Sequence, residues 1–555
     1  MSRSDGGTNR VGPDGFTESD RSTGRHREYP LDSARAAHRD EVVAHLAGLG
    51  IVVDPAELHA PLLRVETHPP EWFDPVWYLA ENPDVESAGV DPFVHYVSFG
   101  YRERRWPNVV VATRARETGS FIDRILSARD VRTDTALRLA RANREVSAPP
   151  STVLEPIRRA LAGGESGFVI AIGHDDYTAN TGGVQLCAGL EQREFARRGI
   201  VHVYVHPSVP LHTLHPSDGD MGVRVVLDGV PLEHDVSLTG LTAQWRSAGL
   251  SDSIVEVVVV HSILGHSPER IGELIDVVAP QRRVWWIHDN VAQCPNWLLL
   301  RNGIEPCGAP PPTSLSCRLC AWGPERLEHL ERLQRLWSRM PWEFFAPSDS
   351  AAAAAMAGSA PLPEVPEVVP HLELRRSAVD RPPSSPGRPT PRIGFIGEPR
   401  VEKGWDVFLA LVRAAPEGCE FVHLGAYRSA ELGIDFVDLR QTPDTFGSTV
   451  EAIRSHRLDA ALLWPYSAET FGFVAVEAIA AGCEVLTHRN SGNVVVVAER
   501  HNRAVVFESV TDLLAADLAE VLRARRRSAT PAWDIVTGSG LTPAVLDRIG
   551  PSVPS

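Results

Sequence analysis

Arg392-Ile393-Gly394-Phe395-Ile396-Gly397-Glu398-Pro399-Arg400-Val401-Glu402-Lys403-Gly404 is the stretch around which this chain can be read. Its apolar opening reads as a short buried strand, Gly397 as the turn that ends it, and Trp405-Asp406 beyond it as the start of a helix. Lys403 is the only lysine among 555 residues; every other strongly basic side chain is an arginine. Where a chain so biased toward arginine keeps a lysine, a compact ammonium on a flexible stem suits the position better than a planar fork. A strand, a glycine turn and a cation ahead of a helix is one way to build a phosphate site.

Further along, the strand-like run Ala460-Ala461-Leu462-Leu463 leads into Trp464-Pro465-Tyr466-Ser467-Ala468-Glu469-Thr470-Phe471-Gly472-Phe473-Val474-Ala475-Val476-Glu477-Ala478. A helix is expected from near Thr470 to just before Gly482, a residue suited to end one. Glu469 then precedes the first turn, and Glu477 lies about two turns on, near the same face. The N–H groups of Phe471 and Gly472 would face an anion. A carboxylate pair at this spacing also arises by chance on ordinary helices, so the flanking residues carry the weight.

These residues resemble the retaining glycosyltransferases of the GT-B fold, in particular the large family 4 of nucleotide-sugar-dependent enzymes. Glu469-Thr470-Phe471-Gly472 through Glu477-Ala478 to Ala481-Gly482 is similar to that family's Glu-x7-Glu motif, and Gly397 to Gly404 to its phosphate motif. The resemblance covers roughly 167–510 and is strongest over 392–493. It implies that Lys403 binds the donor diphosphate, that Glu469 contacts donor-sugar hydroxyls and that Glu477 contacts the ribose; Arg400 stands where it can supply the charge of the arginine the family usually has at the Glu398 position. Gly397, Thr470, Phe471 and Gly472 complete the donor side. Two departures stand out: Glu398 occupies a position where the family usually has arginine, and Val494 to Val497 replace an acidic residue after the loop Asn490-Ser491-Gly492-Asn493.

An earlier block, from 167, alternates in the same way. Phe168–Ile172, His202–Val205, Ile254–Val260, Val284–Ile287 and Glu343–Ala346 read as strands. Gly182-Gly183 opens the first helix and lets backbone approach a phosphate or sugar, though a plain tight turn would use the same residues. His261 and His288 stand at strand ends as polar contacts or a proton relay, or simply as strand caps. His288-Asp289 is similar to the family's His-Asp element. The fold expected is α/β, with two doubly wound Rossmann-like domains (GT-B) and a cleft between them, preceded by a small mainly helical N-terminal region. In boundaries, this means a disordered tail over 1–30, a helical region over 31–165, a first Rossmann-like acceptor domain over 166–375 and a linker over 376–391. A donor-binding domain follows over 392–525, with a C-terminal tail or helix over 526–555.

The insertion over 290–322 contains Cys294, Cys307, Cys317 and Cys320, and the last two form Cys-x2-Cys. Four thiolates would complete a structural zinc site bracing the Pro310-Pro311-Pro312 loop; unliganded or redox-labile thiols are the alternative. Cys187, Cys419 and Cys483 lie in core-like runs and read as packing residues. Near the start, Phe73-Asp74-Pro75, Asn82-Pro83-Asp84-Val85 and His95-Tyr96 mark a module over 70–108. It resembles small helical modules attached to bacterial surface-polysaccharide glycosyltransferases. Its aromatics either fill a miniature core or stack on a ligand, and a docking role toward a partner or an oligomer mate is an open expectation.

A net charge of −16 argues against general nucleic-acid binding. No apolar run is long enough to span a membrane, and no signal-peptide core is visible, so a cytoplasmic address with reduced thiols is expected. Peripheral contact with the inner face of the membrane is compatible with this. The expected activity is transfer of a sugar from a nucleotide-sugar donor to a glycan, glycolipid or small-molecule acceptor, in cell-surface polysaccharide or glycoconjugate biosynthesis. No cofactor is required beyond the donor substrate. A catalytically weak donor-binding or scaffold protein, or a nucleotide-sugar epimerase of the same fold, is the alternative.

Overall fold

The computed structural model describes residues 73–106 and 148–536, each with short gaps; the expected tail over 1–30 and most of the helical pattern before 148 lie outside the described residues. The N-terminal module is a unit by itself. Its first helix, Pro75–Glu81, is capped by Asp74, whose carboxylate accepts from the Trp77 N–H at 2.9 Å. Phe73, Tyr78, Phe93 and Tyr96 pack ring against ring at centroid separations of 5.1–5.7 Å. The Tyr78 hydroxyl bonds His95 Nδ1 at 2.9 Å, and Arg105 grips Asp84 through two 2.7 Å hydrogen bonds. Its rings thus make a core, the first of the two roles open to them.

Beyond it the chain builds two sheets. The first runs in the order β10-β9-β6-β5-β1-β2-β3-β4. Its strands are β1 (Phe168–Ile172), β2 (Val201–Pro207), β3 (Gly222–Leu227), β4 (Val230–Ser237), β5 (Val255–Val260), β6 (Arg282–Trp286), β9 (Glu343–Ala346) and β10 (Glu367–Val368). A small hairpin, β7 (Leu300–Arg301) and β8 (Glu305–Pro306), sits inside the cysteine insertion. Strands from β10 to β2 are parallel, while β3 and β4 add an antiparallel edge. β5 shows why the sheet is covered on both faces. Val258 and Val260 belong to one buried cluster and Val257 and Val259 to another, so a run of valines buries both sides.

The second sheet is wholly parallel, ordered β14-β13-β12-β15-β16-β17. It contains β12 (Arg392–Ile396), β13 (Glu420–Gly425), β14 (Asp435–Asp438), β15 (Ala460–Leu462), β16 (Glu484–His488) and β17 (Ala504–Phe507). Alternate residues of β12 and β15 again enter opposite clusters. The C-terminal part is more than a tail or helix: β18 (Trp533–Val536) pairs antiparallel with β11 (Glu373–Arg376), the last strand before the crossover between sheets. The two doubly wound, Rossmann-like sheets agree with the architecture expected from the sequence. Among the described residues, no helix is long and apolar enough to cross a membrane.

Candidate functional site

In a doubly wound sheet the chain leaves neighbouring strands in opposite directions at one point of the strand order, and a crevice opens at their carboxyl ends. In the second sheet that point lies between β12 and β15. The loops that follow these strands are Gly397–Gly404 and Trp464–Gly472, so the topology unites the two motifs. Gly404 brings them into contact. It sits at φ 85°, and a Cβ there would meet the Trp464 carbonyl, so only glycine fits. The Tyr466 N–H then donates to the Glu402 carbonyl at 2.9 Å, and the Tyr466 hydroxyl to Asp406 at 2.7 Å.

Within this frame Lys403 Nζ donates to Glu469 Oε1 at 2.5 Å. The lysine side chain keeps 45% exposure and the glutamate 21%, so the pair stands at the open mouth of the crevice. Desolvation by the crevice walls pulls the ammonium pKa down, but the adjoining Glu469 carboxylate outweighs it and lifts Lys403 above its usual value. Arg400 is drawn elsewhere, to Glu398 and, at 3.7 Å, to Glu402. Gly397, at φ 117°, ends β12, and its carbonyl bonds His423 Nε2 at 2.9 Å.

Glu469 is held by the next loop. Its N–H donates to the Ser491 carbonyl at 3.2 Å, and its carbonyl accepts from Asn493 at 2.9 Å. A Cβ on Gly492 would come within 2.5 Å of the Glu469 backbone. The helix expected from Thr470 begins only at Phe473, running to Ala481, because Gly472 adopts a left-handed φ of 76°. The unpaired N–H groups at the helix start are therefore those of Phe473 and Val474, not Phe471 and Gly472. Thr470 instead donates its hydroxyl to the His288 carbonyl at 2.6 Å, and the Phe471 carbonyl accepts from Asn493 Nδ2 at 2.7 Å. Glu477 is 2% exposed and accepts from Gln441 Nε2 at 2.5 Å. Burial pushes its carboxyl up to about 7, with the Gln441 bond opposing. Gln441 is not in any motif read from the sequence.

The first sheet supplies the facing wall. Its switch point lies between β1 and β5, and the loops beyond them carry His174, Asp175 and His261. Gly182 caps the helix Gly183–Arg197, and a Cβ on Gly183 would touch the Phe473 ring at 3.4 Å, placing the Gly-Gly turn against the second domain's helix start. Gln185 donates to both Asp175 oxygens at 2.9 Å and approaches His174 Nε2 at 3.3 Å. The sequence reading assigned none of these three residues a role of its own. Burial raises the Asp289 carboxyl to about 6, although the Val291 N–H and His174 favour its ionised form. His288 Nε2 lies 3.0 Å from His261 Nδ1, and its ring stacks on Trp286 and His371. Burial and neighbouring histidines hold its pKa well below the ordinary value, so the imidazole is neutral.

The cysteine insertion has a small packed interior of its own. Cys294 and Cys320 pack with Trp322, and burial raises the thiol pKa values of Cys294 and Cys307. A buried arginine binds the loops together: Arg326 donates to the Gln293 carbonyl at 2.9 Å, to Ser359 at 3.2 Å, to Cys317 Sγ at 3.4 Å and to the Pro310 carbonyl. Arg326 thus braces these loops from within. Among the described residues, the set of ligating atoms that converges within 4.8 Å is Cys187, His288 and His371, not the four insertion cysteines.

Residues 449–531 match the family model described as Glycosyl transferases group 1. That segment contains Glu469, Glu477 and Asn493. No curated protein matches the chain in sequence. Similar solved structures include Anabaena Alr3699/HepE in complex with UDP-glucose, at 13% identity and a TM-score of 0.39, covering 69% of this chain and 95% of that one. The lipopolysaccharide outer core galactosyltransferase WaaB in its apo form has 11% identity and a TM-score of 0.37 over 69% and 95% of the two chains. WaaG, a glycosyltransferase involved in lipopolysaccharide biosynthesis, has 15% identity and a TM-score of 0.37 over 65% and 92%. The segment that matches the glycosyl transferases group 1 model thus lies within the second of two Rossmann-like sheets.

Proposed function

We propose that the protein is a retaining glycosyltransferase that takes a sugar from a nucleoside diphosphate donor and passes it to an acceptor hydroxyl. The observation that supports this most is the Lys403–Glu469 pair at the mouth of the second switch point. An entering diphosphate can take the ammonium from Glu469, which frees that carboxylate for the hydroxyls of the attached sugar. As the glycosidic bond to phosphate breaks, Lys403 offsets the charge developing on the leaving diphosphate, helped by the N–H groups that open the helix Phe473–Ala481. Retention follows the family resemblance: attack comes from the face the diphosphate leaves, and the departing phosphate oxygen takes the acceptor proton. No protein nucleophile is needed. Arg400 adds charge near the diphosphate by exchanging from its acidic neighbours.

The acceptor lies along the first sheet, near Gly182-Gly183, His288 and Asp289, and domain closure excludes water that would hydrolyse the donor. Its class is a glycan, glycolipid or small molecule, with cell-surface polysaccharide or glycoconjugate biosynthesis as the setting, in the cytoplasm or at the inner face of the membrane. The N-terminal module docks a partner or a second copy. Lys403→Ala is expected to lower kcat/KM by on the order of 10²–10³-fold in a transfer assay with the cognate donor, the range for removing one stabilising donor of charge. Turnover near that of the parent chain would refute the role. Tight donor binding with no transfer to any acceptor tried would replace this reading with that of a binding protein.

A further inference from the structure

We propose that Cys187, His288 and His371 form a binding site for a zinc-class divalent cation, placed where the first sheet meets the crossover to the second. The three residues come from separate parts of the chain: Cys187 from the helix Gly183–Arg197, His288 from the loop after β6, and His371 from the segment between β10 and β11. Their ligating atoms nevertheless lie within 4.8 Å of one another. His371 is 9% exposed, and its Nε2 is buried without a hydrogen-bond partner. A buried, unsatisfied imidazole nitrogen is costly unless something occupies the space it faces.

The surroundings also fit. Metal-bound histidines usually give their second ring nitrogen to a neighbour that fixes the ring. His288 Nε2 lies 3.0 Å from His261 Nδ1, and a Glu191 carboxylate oxygen lies 3.1 Å from His261 Nε2 without hydrogen-bond geometry. Both supporting residues are buried, at 1% and 7% exposure. That leaves the other ring nitrogen of His288 to ligate. One thiolate and two imidazoles suit zinc and poorly suit magnesium or calcium, which prefer oxygen ligands. Binding would release the Cys187 thiol proton to solvent and leave the fourth tetrahedral position to water or an incoming ligand. The Phe473 ring stacks on His371 at 5.6 Å, inclined by 2°. A bound ion would therefore tie the crossover segment to the first sheet directly against the start of the second domain's helix. The inference does not depend on the transfer chemistry.

The test is metal content of the full chain after chelator stripping and dialysis against zinc, for the parent, Cys187→Ala, His371→Gln and Cys317→Ser. The parent and Cys317→Ser should both hold the ion, while Cys187→Ala and His371→Gln each lose one equivalent. With cobalt(II) in place of zinc, the parent should show a thiolate-to-metal charge-transfer band that Cys187→Ala abolishes. Circular dichroism identifies a variant that fails to fold; should Cys187→Ala do so, His371→Gln decides. Absence of zinc from the parent, equal zinc in all four chains, or zinc lost only with Cys317→Ser would overturn the proposal.

Discussion

Replacing Glu477 with glutamine should make the protein more stable at neutral pH and a weaker donor binder. Glu477 is 2% exposed, and its folded-state pKa rises from an ordinary 4.5 to about 7 because burial disfavours the carboxylate. The folded chain therefore holds a proton that the unfolded chain gives up. Stability tied to this group is fully present below pH 4.5 and is lost as pH climbs through 7. At about 1.4 kcal/mol for each tenfold step in proton affinity, the loss is about 1 kcal/mol at pH 5 and about 3 kcal/mol at pH 8. Glutamine matches the shape, can accept the Gln441 hydrogen bond through its oxygen, and does not ionise. Denaturant unfolding of parent and variant should thus show an advantage for Glu477→Gln that grows from pH 5 to pH 8. A pH-independent difference, or one that shrinks as pH rises, would refute the assignment. Above pH 7, where the folded-state carboxyl is ionised, the same variant also loses a charged acceptor for donor hydroxyls, worth about 1.5–3 kcal/mol. Calorimetric donor binding should accordingly weaken by roughly 10- to 100-fold.

Two other substitutions probe the frame. Gly404→Ala forces a left-handed φ and a collision with the Trp464 carbonyl, so strain of about 1–3 kcal/mol should appear as a lowered melting temperature and impaired donor binding. An unchanged melting temperature and donor affinity would show that the two loops need no such close approach. Arg326→Ala removes charged hydrogen bonds from the Gln293 and Pro310 carbonyls, each worth about 1.5–3 kcal/mol, and should make the insertion the first site of limited proteolysis. Unaltered cleavage would show that another group braces those loops.

The strands that frame the site were legible because β12 and β15 are apolar runs punctuated by Gly397 and by Trp464-Pro465. The β3–β4 hairpin was missed despite a signal: Asp228-Gly229, both at positive φ, lies between valine-rich runs as a two-residue turn requires. β14 (Asp435–Asp438) had no comparable sign, since an edge strand of four residues needs little apolar character. Lys403 and Glu469 could be linked in advance only through the resemblance, because their contact comes from two strands meeting across 66 positions. Gln441 and His371 were invisible for the same reason, each acting through a partner distant in sequence, whereas Gln185 reaches only ten positions back to Asp175. The late start of the helix at Phe473 turns on one left-handed glycine, which the pattern of apolar residues does not encode.

Because Lys403 is the only lysine, an amine-reactive reagent has one side-chain target in the whole chain, apart from the α-amino group. Mass spectrometry of the labelled protein therefore reads this ammonium directly. Saturation with the nucleotide-sugar donor that stabilises the protein should suppress labelling of Lys403 while leaving the α-amino group reactive. Labelling at the same rate with that donor bound would contradict the claim that Lys403 holds its diphosphate.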